Sequence, residues 1–132
     1  MPRAGSMPAM GTISLYGIPN CDTVKRARAW LAAHGVEHHF HDFKKSGVPE
    51  SALRRWLAAV GWPVLLNRRG TAWRGLPDNV QASMADEASA AAMMRGMPSM
   101  IRRPVVDWPG GAVTVGFDEA DWSARAARMS NL

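Results

Sequence analysis

An α/β domain with a mixed four-stranded sheet is what this 132-residue sequence predicts. Three observations carry the prediction. Short apolar runs at 13–18 and 36–43 flank a helical pattern, a long helical stretch follows, and two final apolar runs are joined by Pro109-Gly110-Gly111. The order is βαβ, a helical insertion over about 48–97, then ββα.

"ISLYGI" at 13–18 is a short apolar run closed by Pro19-Asn20, as expected of a buried strand. "DTVKRARAWLAAHG" then sets Val24, Ala27 and Leu31 on one helical face with Trp30 beside them, and Gly35 ends the pattern. "VEHHFHDF" at 36–43 alternates loosely as a second strand, which a connection this short makes a right-handed parallel partner of the first. In the stretch from 49 to 96, Pro49 suits a first helical position, and Leu53, Trp56, Leu57 and Val60 follow the helical spacing. "RPVVDW" and "AVTVGF" form a hairpin around Pro109-Gly110-Gly111, and "DEADWSARAARM" closes the chain as a helix whose acidic start suits its dipole. This order is the thioredoxin-like plan with an all-helical insertion before the hairpin. Residues 1–11 read as a flexible extension, with Met7 or Met10 as alternative starts, and 12–132 as one domain.

Apolar residues make up 47% of the chain, enough for one sizeable core. Lys and Arg exceed Asp and Glu by 16 to 11, a surplus of +5 that suits anionic partners without choosing among them. The N-terminus has no apolar signal region, and no stretch approaches the ~18 apolar residues of a membrane span, so a cytoplasmic location is expected.

Cys21 is the only cysteine. An internal disulfide is therefore excluded, and a thiol that cycles through oxidation must be resolved by a thiol from another molecule. Its predicted place, between a strand and a helix start, is where free backbone N–H groups converge and favour a thiolate. Asn20, Thr23 and Lys25 stand around it as polar neighbours. The alternative is an inert buried thiol, against which the polar turn argues. In "MIRRPVV" at 100–106, Pro104 opens a strand. In a thioredoxin-like plan that proline is commonly cis and faces the cysteine turn, which brings Arg103 near Cys21 and turns Arg102 away. An arginine there binds an oxyanion in two places and favours the thiolate.

These residues together carry a family resemblance. "LYGIPNCDTVKRARAWL", "NRRGTAWRGL", "DEASAAAMMRGMPSMIRRPVV" and "VGF" resemble the arsenate reductase-like ArsC/Spx/YffB family over nearly all of residues 13–127, and most of all its YffB branch. The resemblance implies that Cys21 is the active-site cysteine and Arg103 the arginine preceding the proline. In the glutaredoxin-linked arsenate reductases of the family, the cysteine attacks As(V), glutathione resolves the adduct and three arginines hold the oxyanion. Asn67 stands here at the insert arginine, with Arg68 and Arg69 adjacent, and the third arginine falls near Gly116. What these departures leave intact suits a glutathione-dependent thiol-disulfide reductase. Glutathione is then a co-substrate, with no tightly bound cofactor. Glutaredoxin is a further candidate partner, and a small-molecule or protein disulfide is the substrate. Pro104 would shape the groove, and Arg69 would contact an oxyanion or a glutathione carboxylate. The Spx branch implies a different class, a regulator that binds the RNA polymerase α subunit without turnover. Its CxxC switch is absent, because Val24 holds the second position.

"HHFHD" at 38–42 splits its side chains between two faces, so no metal site is expected. Met93, Met94 and Met97 recur at helical spacing as core filler. "NRRGTAWR" lacks the wider basic stripe that nucleic-acid binding needs.

Overall fold

A computed structural model describes residues 12–130. The expected extension, residues 1–11, lies outside the described residues, as do 131 and 132.

β1 (Ile13–Gly17) leads through a turn into α1 (Asp22–Ala33), which returns to β2 (His38–Asp42). A helical segment follows, comprising α2 (Phe43–Ser46), α3 (Glu50–Val60), α4 (Trp62–Leu65), α5 (Thr71–Arg74), α6 (Asp78–Ala82), α7 (Glu87–Gly96) and a 3₁₀ turn at Pro98–Met100. The hairpin β3 (Val105–Asp107) and β4 (Val113–Val115) then leads to α8 (Glu119–Ser130). The sheet order is β2-β1-β3-β4, with β2 parallel to β1 and the other two pairings antiparallel. This is the mixed four-stranded, thioredoxin-like α/β plan expected from the sequence.

Alternation along β1 divides the core. Ile13 and Leu15 are fully buried with Val24, Ala27 and Leu31 of α1, Val106 of β3 and Trp122 of α8. Tyr16 points to the opposite face, where Leu53 and Trp56 of α3, Leu65 of α4, Met94 of α7 and Val105 pack. β1 thus runs between two apolar layers, as the period of two requires. Gly17 ends the strand where α1 comes closest: a Cβ there would lie 2.8 Å from Val24 Cγ2. That contact fixes how tightly the first turn of α1 sits on the sheet.

The helical segment departs from sequence expectation in detail. Pro49 is the N-cap of α3 rather than its first helical residue, because its carbonyl accepts the first helical bond, from Leu53 N–H, while its own backbone is extended. Met94 is buried and Met93 packs partly against the core, but Met97 is 40% exposed. It is the C-cap residue of α7, where the backbone leaves the helical path and carries the side chain off the apolar face. α7 begins with a capping box, Asp86 accepting from the Ser89 N–H and Ser89 Oγ from the Asp86 N–H. No helix among the described residues is long and apolar enough to cross a membrane.

Candidate functional site

Cys21 is the N-cap residue of α1, with extended backbone and its carbonyl accepting from the Lys25 N–H at 2.9 Å. The side chain is half-buried against the α1 face of the core. Burial pushes its thiol up and is the largest single influence. The Val24 N–H, the hydrogen bond and charge of Arg103, and the Thr23 N–H act the other way and bring it below the ordinary thiol value. The N–H groups are those left free at a helix start, so the sequence signal and its physical cause coincide.

Arg103 reaches this place through the sheet. Tyr16 pairs with Val105 in antiparallel register, so the residues just before β3 run beside those just after β1. The Arg103–Pro104 peptide is cis and Pro104 is buried. The Pro104 carbonyl accepts from the N–H of Gly116 at 2.8 Å, and Gly116 has φ +87°, a conformation open to glycine. Two backbone carbonyls hold the guanidinium: Nη1 donates to Ser99 O at 2.9 Å and to Ile101 O at 3.2 Å. Sequence reasoning missed this grip, since no local pattern shows that a side chain folds back on its own segment.

The other expected site residues are placed more loosely. Asn20 and Lys25 are exposed and Thr23 is half-buried. Thr23 contributes its backbone N–H to the thiol, whereas Lys25 and Arg26 are not among the charges that shift it. Arg69 is exposed on the loop between α4 and α5. Asn67 Oδ1 accepts from the Arg69 N–H at 3.1 Å, and the Arg69 carbonyl accepts from Arg74. The loop therefore has a defined shape, held from both sides of Arg69. It lies against the segment carrying Arg103, because Leu66 bridges Ile101 and the Asn67 N–H donates to Met100 O at 2.8 Å. Among the described residues, no hydrogen bond or ion pair joins the Arg69 side chain to Cys21 or Arg103. Arg102 is only half-buried and its backbone N–H donates to Leu65 O at 2.9 Å.

The strand histidines divide between the two faces as alternation requires. His38 takes a hydrogen bond from Arg28 at 3.1 Å, whereas His41 bonds Gly47 O at 2.8 Å and lies against the ring of Tyr16. Burial, followed by the charge of Arg28 and His39, lowers the His38 pKa. Among the described residues, no three His, Cys, Asp or Glu side chains gather as metal ligands.

A family model described as the ArsC family matches residues 16–125. Among solved structures, a YffB protein is 46% identical, covering 86% of this chain and 97% of its own, with a TM-score of 0.80. An arsenate reductase (ArsC) related protein from Brucella melitensis is 45% identical, covering 89% and 97%, with a TM-score of 0.71. An uncharacterised Haemophilus influenzae protein is 40% identical over 87% of this chain and 99% of its own. The global transcriptional regulator Spx of Streptococcus agalactiae is 28% identical over 81% and 77%.

Proposed function

From the premise that the chain belongs to the ArsC family, we propose that it is a cytoplasmic, glutathione-dependent thiol-disulfide reductase with Cys21 as its nucleophile. The observation that carries this reading is the thiol at the start of α1, lowered by two backbone N–H groups and Arg103 in spite of its burial.

In the proposed cycle the Cys21 thiolate attacks the glutathionyl sulfur of a mixed disulfide R–S–S–G. A Cys21–SG disulfide forms, the S–S bond of the substrate breaks and R–S⁻ leaves to take a proton from water. A second glutathione thiolate then attacks the glutathionyl sulfur, releasing oxidised glutathione and restoring the Cys21 thiolate. The steps sum to R–S–S–G + GSH → R–SH + GSSG: the incoming glutathione thiolate and the glutathionyl group of the substrate make up oxidised glutathione, and no second protein thiol is needed. The N–H groups of Thr23 and Val24 and the guanidinium of Arg103 stabilise the thiolate as attacker and as leaving group. Pro104 shapes the wall of the groove. Asn20 and Lys25, exposed beside the cysteine turn, contribute polar contacts to glutathione, and Arg69 contributes an oxyanion contact for the substrate. Glutaredoxin is a candidate for removing the glutathionyl group.

The test combines the pH dependence of Cys21 alkylation with exposure to oxidised glutathione. The expected result is a thiol that reacts as a thiolate below the ordinary range and gains one glutathionyl group, both lost in Cys21→Ser. Turnover retained in Cys21→Ser would overturn the mechanism.

The similarity to Spx favours one other reading, a regulator that docks on the RNA polymerase α subunit. It forecasts binding that survives Cys21→Ser. A low-salt pull-down with the α subunit that recovers nothing would remove it.

A further inference from the structure

β2 is an edge strand, and a cleft of about 370 Å³ opens beside its C-terminal half. It is lined by Pro19 from the cysteine turn, Arg28 from α1, His39 to Asp42 from β2, and Lys45 with Ser46 from α2. We infer that this cleft is the glutathione subsite, with Arg28 and Lys45 taking the two carboxylates of the tripeptide and Asp42 its ammonium group. The inference rests on the reductase reading and gives it a substrate-recognition site separate from Arg69.

Position is the first argument. The parallel register sets Asp42 opposite Gly17, so the carboxyl ends of β1 and β2 lie side by side next to the turn that holds Cys21. Ligands of open α/β sheets bind outside such strand ends. Pro19 lies two residues from Cys21, which limits their Cα separation to about 7 Å. Arg28 lies seven residues beyond Cys21, two turns down nearly the same face of α1 and about 10 Å along its axis. An extended tripeptide spans about 10 Å, and glutathione carries its thiol on the middle residue. With the sulfur at Cys21 each arm therefore covers about half that span, enough with the cysteine side chain to reach Pro19 in the cleft lining.

Charge is the second argument. The Arg28 guanidinium is aimed by two neighbours: its Nε donates to His38 Nε2 at 3.1 Å and its carbon lies 4.1 Å from the centroid of Phe40. Neither neighbour is an anion. Lys45 is exposed, and no ion pair among the described residues engages Arg28 or Lys45. Asp42 is the single carboxylate of the lining, and one of its oxygens accepts from the Lys44 N–H at 2.8 Å. Two uncompensated cations and one half-engaged carboxylate complement a ligand with two carboxylates and one ammonium. Inorganic phosphate or a simple dicarboxylate would leave Asp42 facing like charge.

The probe is S-methylglutathione, which keeps every charge of glutathione and cannot form a disulfide. Its affinity is measured by NMR titration on wild type, Arg28→Glu, Lys45→Glu and Arg95→Glu, the last an exposed arginine of α7 outside the cleft lining. Loss of a charge-assisted contact predicts at least about tenfold weaker binding for the first two and little change for the third. Lys45 is exposed, so its variant tests charge without disturbing packing, and Arg28→Lys, which keeps the charge, should recover part of the affinity. Shifts centred on Arg69, with wild-type affinity in Arg28→Glu and Lys45→Glu, would overturn the subsite while glutathionylation of Cys21 still upheld the reductase. Absence of both binding and glutathionylation would overturn the two together.

Discussion

On one side of the sheet, two helices of twelve residues each, α1 and α8, cover Ile13, Leu15 and Val106. On the other, five helices (α2 to α5 and α7) and a 3₁₀ turn do the same work, and three of those helices have only four residues. The long-helix face supplies the cysteine and the backbone N–H groups that favour its thiolate. The many-helix face ends in the segment that delivers Arg103, anchored by the pairing of 65–67 with 100–102. Thiol activation is therefore a product of both faces. One contributes dipoles that come with any helix start, and the other a formal charge that depends on how the insert is packed.

Substitutions in the two layers sharpen this comparison most. Trp122 and Trp56 are each fully buried, one per face. Trp122→Ala and Trp56→Ala should each cost about 3–5 kcal/mol in urea unfolding. A cost below about 1 kcal/mol for either would mean that its face is not integral to the core. Gly17→Ala comes next: its Cβ would press on Val24, the residue whose N–H reaches the sulfur. Overpacking of this kind costs about 1–3 kcal/mol. The variant should also raise the Cys21 thiol pKa, and an unchanged alkylation profile would uncouple the strand end from the thiol. Arg103→Ala should slow alkylation at neutral pH by up to about tenfold, with Arg103→Lys intermediate. A profile superimposable on wild type would assign the activation to the helix start alone.

The smallest expected effect is on stability against pH. The thiol is lowered in the folded chain, so the stability it contributes is complete above the ordinary thiol range and is lost as pH falls through the folded value. Urea midpoints of wild type and Cys21→Ser, compared from mildly alkaline to mildly acidic pH, should show the wild-type advantage shrinking downward. An advantage that grew on acidification would reverse the sign and remove the thiolate contribution.

How legible each face was in the sequence follows from the same difference. α1 carries its period over three turns, and Val24, Ala27 and Leu31 are buried as that period requires. The hairpin was legible from Pro109-Gly110-Gly111, where both glycines have positive φ. The insert read as helical, but its division did not, because helices of four or five residues complete little more than one turn and show no period. The same limit applies at Pro49 and Met97, whose positions depend on where a helix stops. In the candidate site, Cys21 was legible because its surroundings are local. The hold on Arg103 and the cleft beside β2 were not, because each arises from segments that meet only in three dimensions.

The hold on Arg103 has a consequence for how this protein tolerates change. Both acceptors, Ser99 O and Ile101 O, are main-chain atoms. Replacing the side chains of Ser99 or Ile101 leaves those acceptors in place, so the guanidinium keeps its orientation while the residues beneath it drift. Genetic robustness here resides in the path of the backbone. Only an insertion, a deletion or a rerouting of the segment between Pro98 and Pro104 would deprive Cys21 of its charged neighbour without touching Arg103 itself.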